Sequence, residues 1–261
     1  MKEELKALVD GTAGRFTARE YLQARILQSL QNSGAMTRLA FHGGTSLRFL
    51  FYIPRYSEDL DFSLFQVSSY DFASLLHKVK AQFSKEGYDT EILVSKKKSA
   101  VDSAFIKFPG LLFELELSPH KDEVLSVKIE VDTNPPAGAT FETTLVTRLV
   151  TLNLHHHDRR TLLAGKLNAL LTRGHTKGRD IYDLMWYLSQ PDWPDPNLDY
   201  LNNALQQSGS DLRAEDWRQA SVERLSVMDW GRAIADVRVF LERQEELEFL
   251  TRENILKLLG H

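Results

Sequence analysis

Two aspartates separated by one residue are the side chains in this sequence best suited to do chemistry. In an extended strand, Asp59 and Asp61 share one face, whereas Leu60, Phe62 and Leu64 point to the other. Two neighbouring carboxylates repel each other unless positive charge compensates, and a hard divalent cation bound to triphosphate oxygens is a common compensation. The pair therefore predicts a metal-assisted reaction at phosphate, and a solvated strand face is the alternative.

A glycine pair upstream could hold the phosphate. Leu39 to Phe41 reads as a short buried strand, Gly43 and Gly44 as a turn, and Thr45 to Tyr52 as a helix. A glycine turn at a helix N-terminus exposes backbone N–H groups to an approaching anion, with the helix dipole behind them. The turn predicts a phosphate site, and a tight turn without a ligand is the alternative.

A third carboxylate could come from a later strand. Residues 127 to 132 alternate in polarity, which places Lys128, Glu130 and Asp132 on the face opposite the core. If that face meets the aspartate pair, either Glu130 or Asp132 joins it, and a half-exposed edge strand is the alternative for each.

The second half of the chain contributes a lysine and two further aspartates. An apolar stripe predicts a helix from Asp158 to Arg173 that carries Lys166. Asp180 and Asp183 lie three residues apart and share one face near the start of the next helix. The same aspartates could serve only to complement the helix dipole.

The elements that must position these residues predict an α+β fold. Thr17 and Glu20 have the spacing of a capping box before a helix that extends to about Asn32, and residues 70 to 86 form an amphipathic helix. Period-two runs at 105–108, 113–117 and 127–132 predict an antiparallel meander. After another extended segment at 143–152 the pattern becomes helical. We therefore expect a core lobe over residues 1–152 and a helical lobe over 153–261.

Composition excludes several kinds of site. The 261-residue chain has no cysteine and a formal net charge of −4, so thiolate catalysis, cysteine-bound metals and a globally basic surface are excluded. The sequence contains no long apolar run, so we expect a cytoplasmic protein without a membrane segment. Three consecutive histidines, His155 to His157, lack chelating spacing and are expected at the surface or against substrate rather than on zinc.

Four segments in this order carry a resemblance to a known family. They are Gly43-Gly44-Thr45-Ser46-Leu47-Arg48, Arg55-Tyr56-Ser57-Glu58-Asp59-Leu60-Asp61-Phe62, Leu163-Ala164-Gly165-Lys166-Leu167-Asn168-Ala169-Leu170-Leu171 and Lys177-Gly178-Arg179-Asp180-Ile181-Tyr182-Asp183-Leu184. From about Leu39 to Leu188 the chain resembles the AbiEii/AbiGii nucleotidyltransferase toxins. The resemblance implies a polymerase-β-like nucleotidyltransferase core with a mixed or antiparallel sheet, followed by a C-terminal helical lobe.

The resemblance also implies roles for the residues of these segments. The turn at Gly43 and Gly44 would hold triphosphate, Asp59 and Asp61 would bind Mg²⁺ or, alternatively, Mn²⁺, and Lys166 would contact nucleotide phosphate. Asp180 matches the aspartate of a late motif, where it would orient Lys166 or the ribose hydroxyls. Further phosphate or acceptor contacts are expected from Thr45, Arg48, Arg55 and Ser57, with Glu130 or Asp132 as the third metal ligand.

The function expected from these roles is nucleotidyl transfer by a toxin. An NTP would supply the nucleotide, an RNA such as the tRNA 3′ end would accept it, and a cognate antitoxin would relieve the inhibition, with direct contact between the two left open. Six basic residues around the predicted lobe boundary favour a polyanionic acceptor; they are Arg148, Arg159, Arg160, Arg173, Lys177 and Arg179. Transfer to a protein or small-molecule hydroxyl and a non-catalytic nucleotide-binding regulator are the alternatives.

Overall fold

A computed structural model describes residues 2–9, 13–95, 99–175 and 177–260. The strands are β1 Leu39–His42, β2 Asp59–Leu64, β3 Glu91–Val94, β4 Val101–Phe108, β5 Leu125–Asp132, β6 Phe141–Thr147 and β7 Thr151–His157. The helices are α1 Lys2–Leu8, α2 Gly14–Asn32, α3 Gly43–Phe51, α4 Phe72–Lys85, α5 Leu111–Glu114, α6 Arg159–Thr172, α7 Gly178–Leu188, α8 Leu198–Gln207, α9 Trp217–Ser226, α10 Trp230–Arg238 and α11 Arg252–Leu259.

The strands form one mixed sheet in the order β3-β4-β5-β2-β1-β7-β6. Strand β2 is antiparallel to β1 and parallel to β5, and β5, β4 and β3 continue as an antiparallel series. Helices alone follow β7 in the described part of the chain. The predicted α+β class, with a mixed sheet followed by a helical C-terminal part, is confirmed.

The chain divides into two compact units. The first comprises Met1–Tyr52, Tyr56–Pro135 and Thr143–His156, and the second comprises Ile53–Arg55, Pro136–Glu142 and His157–His261. The second unit is therefore discontinuous in sequence, because it includes two short segments from the N-terminal half.

Alternation along the central strands builds the core of the first unit. Side chains of β5 are alternately buried and half-buried, and Leu60 and Phe62 of β2 are at most 1% exposed. Burying an apolar side chain of this size contributes about 1.5–3 kcal/mol, so the register of β2 is strongly determined. The polar residues of both strands are consequently held on the opposite face.

One predicted strand is wrong. Residues 113–117 do not form a strand; α5 and a turn occupy this region, and Gly110 adopts a left-handed conformation at the start of the helix. Leu111, Leu112 and Leu115 are buried there, a spacing that suits one face of a helix. The alternating run Phe-Glu-Leu-Glu-Leu was compatible with both patterns, and tertiary burial selected the helix.

Two further expectations are corrected. Helix α2 begins at Gly14 with no side-chain cap, so Thr17 lies inside it and its hydroxyl donates to the carbonyl of Ala13 at 3.2 Å.

The histidine run lies on β7, and His156 and His157 are at most 2% exposed. These two histidines are therefore core residues rather than surface residues.

The hydropathy of the helices bears on membrane insertion. None of the helices formed by the described residues combines the length and the apolar character needed to cross a bilayer.

Candidate active site

The aspartate pair lies on β2, opposite a lysine and a glutamate of β5. In the parallel pairing of these strands Asp59 is opposite Lys128 and Asp61 is opposite Glu130. Lys128 Nζ contacts Glu130 Oε1 at 2.8 Å, and both of these side chains are about one third exposed, at 27% and 30%. The first unit thus presents three carboxylates and one ammonium group on a single face of the sheet.

The surroundings of this group raise the pKa values of Asp59 and Lys128. Burial, followed by the charges of Asp61 and Glu130, raises the pKa of Asp59 to about 6, and Lys128 opposes the shift only in part. Burial would lower the pKa of Lys128, but the hydrogen bond to Glu130 and the charges of all three carboxylates raise it. Such a group attracts a further cation.

The structure distinguishes the two candidates for the third carboxylate. Glu130 is directly opposite Asp61, whereas Asp132 is opposite Ser63, one step further along β5. Asp132 also accepts a hydrogen bond from the backbone N–H of Asn134 at 2.9 Å. Glu130 is therefore the carboxylate beside the aspartate pair, and Asp132 caps the turn that follows the strand.

The glycine turn packs directly against this carboxylate group. Gly43 has a φ of +78°, and a Cβ atom at this position would overlap Oδ2 of Asp61. Glycine is needed for both reasons, since other residues rarely adopt this φ and none could approach the carboxylate so closely. Gly44 lies in the first turn of α3, whose N-terminal N–H groups lack partners within the helix.

The Thr45 side chain is placed differently from the predicted nucleotide contact, and Ser57 lies close to the aspartate strand. The Thr45 hydroxyl is fully buried and donates to the backbone carbonyl of Asp59, so it holds α3 against β2. Ser57 precedes β2, and its carbonyl accepts a hydrogen bond from Gln23 Nε2 at 3.1 Å. The Thr45 hydroxyl is therefore occupied, and the backbone N–H of Thr45 is the group suited to a phosphate contact.

In the second unit, Lys166 is held between two aspartates. Its Nζ lies 2.7 Å from Asp183 Oδ2 and 3.3 Å from Asp180 Oδ1, and Arg173 bonds the other oxygen of Asp180. Burial would raise the pKa of Asp183, but the charges of Arg55 and Lys166 outweigh burial and lower it. The structure thus brings together the predicted pair Lys166 and Asp180 and adds Asp183.

The two predicted phosphate-binding arginines are instead committed to buried ion pairs. Arg48 is 3% exposed and donates to both oxygens of Glu20, at 2.8 and 3.2 Å. Arg55 is 1% exposed and donates to both oxygens of Asp183, each at 2.6 Å. Two-point bonds of this kind fix each guanidinium, so Arg48 and Arg55 are structural residues here.

Sequence reasoning assigned no role to Lys128. The sequence did contain an indication of a role for Lys128, because the alternation of β5 places it on the same face as Glu130. Its importance depends on the pairing of β5 with β2, which puts it opposite Asp59, and no local pattern indicates that pairing.

The donor set fits a hard divalent cation. Oxygen ligands are those that Mg²⁺ prefers, and Asp59 and Asp61 supply them from one face. The pKa of Asp59 is raised by burial and then by the charges of Asp61 and Glu130, so a cation here would stabilise its charged form. Within the described ranges no set of three or more acidic or histidine side chains is close enough to share an ion as the structure stands. Glu130 lies opposite Asp61 and is bonded to Lys128 through one oxygen, Oε1.

Comparisons with solved structures address the fold of the chain. Two solved structures from Helicobacter pylori share the fold. One is a candidate nucleotidyltransferase, 21% identical with a TM-score of 0.53 over 93% of this chain and 95% of its own. The other is JHP933, 17% identical with a TM-score of 0.53 over 96% of this chain and 90% of its own. No curated protein matches the chain significantly.

The family assignment comes from the sequence model of one family. The model described as nucleotidyl transferase AbiEii toxin, type IV toxin–antitoxin system, matches residues 25–252, which include both units' candidate residues. The chain therefore belongs to the AbiEii family of nucleotidyltransferase toxins.

Proposed function

We propose that the protein transfers a nucleoside monophosphate from an NTP to the 3′ hydroxyl of an RNA, that the tRNA 3′ end is the acceptor, and that Mg²⁺ is required. The observation that carries the proposal is the carboxylate group of Asp59, Asp61 and Glu130, packed against a glycine turn at the start of a helix. A cation site beside a phosphate-binding turn is what phosphoryl-group transfer needs.

The bond changes in this reaction are simple. The acceptor 3′ oxygen attacks the α-phosphorus of the NTP, the bond from that phosphorus to the pyrophosphate oxygen breaks, and pyrophosphate leaves. Glu130 takes the proton of the attacking hydroxyl, since it is the remaining carboxylate next to Asp61. Asp59 and Asp61 would hold a divalent cation, Mg²⁺ or in its place Mn²⁺, whose positive charge would stabilise the triphosphate and make the hydroxyl more acidic.

The other residues bind and orient the nucleotide. Backbone N–H groups of Gly43 and Gly44 donate to the triphosphate, helped by the dipole of α3. Lys166 provides a counter-charge for phosphate, and Asp180 and Asp183 hold its ammonium group in position. Asp183 is also paired with Arg55, and Asp180 is also paired with Arg173. Because these arginines balance part of the negative charge of the two aspartates, Lys166 is held in place and keeps positive charge for the phosphate.

The family also implies partners. NTP is the expected substrate of a nucleotidyltransferase, and a type IV toxin has a cognate antitoxin. RNA as the acceptor is the more specific part of our proposal. Two outcomes would replace it: transfer to a protein or small-molecule hydroxyl, or nucleotide binding without transfer.

A transfer assay tests the proposal. Purified protein is incubated with each labelled NTP, Mg²⁺ and total RNA, and we expect label in tRNA. Asp59→Ala/Asp61→Ala should abolish transfer, and Glu130→Gln should slow it by about 10²-fold or more because a general base is lost. Asp132→Asn, on the same face of the same strand, is the matched control and should retain transfer.

The alternative outcomes separate the rival functions. Label in protein or in a small molecule would replace RNA as the acceptor, and saturable NTP binding without any product would indicate a regulator. In cells, expression should slow growth, and the double aspartate variant should remove that effect. Growth inhibition that persists in the double variant would contradict the catalytic mechanism.

A further inference from the structure

The face of the sheet that carries the aspartates continues across three more strands. In successive pairings Asp59 is opposite Lys128, Lys128 is opposite Phe105, and Phe105 is opposite Leu93. Directly paired residues of neighbouring strands point to the same side of a sheet. These four side chains therefore form one row that leads from the carboxylates across β5 and β4 to β3.

The outer part of this row is apolar and open to solvent. Phe105 is 38% exposed and Leu93 is 53% exposed, whereas Ala104 and Ile106, the neighbours of Phe105 in β4, are fully buried. Lys128 Nζ lies 5.8 Å from the centre of the Phe105 ring. An aromatic face beside a lysine, on the same surface as the carboxylates, has the composition of a base-stacking site on a nucleic-acid-binding protein.

The order of the strands indicates which nucleobase this surface would meet. Strand β2 lies between β1, which leads into the glycine turn, and the series β5-β4-β3. In an in-line displacement the attacking hydroxyl approaches from the side opposite the leaving pyrophosphate. If the triphosphate lies at the turn beside β1, an acceptor that approaches Asp59 and Asp61 from the opposite side comes over β5 and β4.

We propose that Phe105 and Leu93 form the surface on which the acceptor RNA stacks its 3′-terminal base, with Lys128 at the edge of that surface nearest the carboxylates. The inference rests on the proposed function for the direction of approach. Stacking on Phe105 is tolerant of base identity, because every base offers a π-face, and the charge of Lys128 matches a polyanion. Phe105 is a positioning residue, because it orders the acceptor end without touching the reacting atoms.

Photocrosslinking tests the surface without requiring catalysis. A single-stranded RNA with 5-iodouridine at its 3′ end is bound to the full-length protein without NTP, irradiated, and the crosslinked peptide is identified by mass spectrometry. We expect the crosslink at Phe105. Fluorescence anisotropy with the same RNA should show binding weakened about tenfold in Phe105→Ala, as loss of one stacked base predicts, and retained in Phe105→Tyr.

Phe113 provides a matched control. It is 41% exposed, and Lys121 Nζ lies 4.9 Å from its ring centre, so it resembles Phe105 in exposure and in its cationic neighbour. Phe113→Ala should leave RNA binding unchanged. Thermal unfolding of each variant checks that the fold is intact, and Phe105→Tyr retains the ring if Phe105→Ala proves unstable.

The outcomes separate this inference from the proposed function. Transfer to RNA with the crosslink elsewhere, or with Phe105→Ala and Phe113→Ala behaving alike, overturns the stacking surface and leaves the function standing. A crosslink at Phe105 without transfer supports the surface and contradicts the function. A raised KM for NTP with unchanged RNA binding, a change of oligomeric state in Phe105→Ala, or no RNA binding by the wild-type protein would each overturn the inference.

Discussion

The charge of Asp59 destabilises the folded protein at the position where we propose that this residue binds a cation. Its pKa of about 6 means that its charged form is less favourable in the folded chain than in the unfolded chain, where an aspartate titrates near 3.8. A proton is therefore bound more tightly by the folded state, and stability falls as pH rises between these two values. Above about pH 6 the penalty is fully present, and a bound cation would remove it.

Replacing this carboxylate should stabilise the metal-free protein. We expect Asp59→Asn to raise the free energy of unfolding by roughly 1–3 kcal/mol at pH 7.5, because a shift of one pKa unit corresponds to about 1.4 kcal/mol. Near pH 4 the difference between variant and wild type should be small. Urea unfolding in EDTA at the two pH values measures both differences, and equal stabilities at pH 7.5 would show that neither burial nor the neighbouring carboxylates disfavour the charge of Asp59.

The β1-turn-α3 element depends on one backbone conformation. Gly43→Ala adds a left-handed strain of about 1–2 kcal/mol and also brings a methyl group into the position of the Asp61 carboxylate. We expect a loss of stability and a loss of nucleotidyl transfer, because the methyl group displaces a proposed cation ligand.

Gly87 is the matched control for this change. It has a φ of +80°, and nothing lies within 4 Å of a Cβ built on it, so Gly87→Ala should show the backbone strain alone. Urea unfolding and the transfer assay compare the two variants. If Gly87→Ala impaired transfer as strongly as Gly43→Ala, backbone strain rather than the close approach to Asp61 would explain the loss.

Some strands were predicted correctly from the local alternation of polar and apolar residues, and others were not. Strands β2 and β5 were predicted from alternation with their polar faces correct, because one side of each strand is buried and the period of two is unambiguous. The run at 113–117 was misread because five residues can satisfy both periods. Strand β3 was missed because four residues at the sheet edge carry little pattern of their own.

At the scale of the whole molecule, the second unit includes segments that lie far from its helices in sequence. Arg55, in the N-terminal half, belongs to the second unit, where its buried pair with Asp183 and an isolated β-bridge to Leu241 fix it. The segment Pro136–Glu142 belongs to the same unit, and Asn197 donates to the carbonyl of Gly138 at 2.8 Å. A helical lobe that starts at residue 153 would lack both segments.

Fragments should reveal this dependence. We expect residues 153–261 alone to unfold at a lower urea concentration than the same helices in the full chain, because Asp183 and Lys166 lose Arg55 from a buried charge network, a change that typically costs about 3–5 kcal/mol. Residues 136–261 should be intermediate. Far-UV circular dichroism during urea titration measures all three chains, and equal midpoints would contradict the proposed role of Arg55.

The sequence by itself determined the chemical groups and much of their local geometry. Asp59 and Asp61 share a face because strand alternation requires it, the helix after the glycine pair follows from its composition, and the order of four segments identified the family. These features depend on neighbours within a few residues, or on motif order, and both are readable along the chain.

Only the tertiary structure decided which distant groups meet. The pairing of β2 with β5 placed Glu130 rather than Asp132 opposite Asp61 and placed Lys128 opposite Asp59, and packing in the second unit paired Arg55 with Asp183. These outcomes depend on strand register and on the burial of charge between segments far apart in sequence. A side chain's type can predict that it needs a partner, but which partner it receives is set by how the chain folds back on itself.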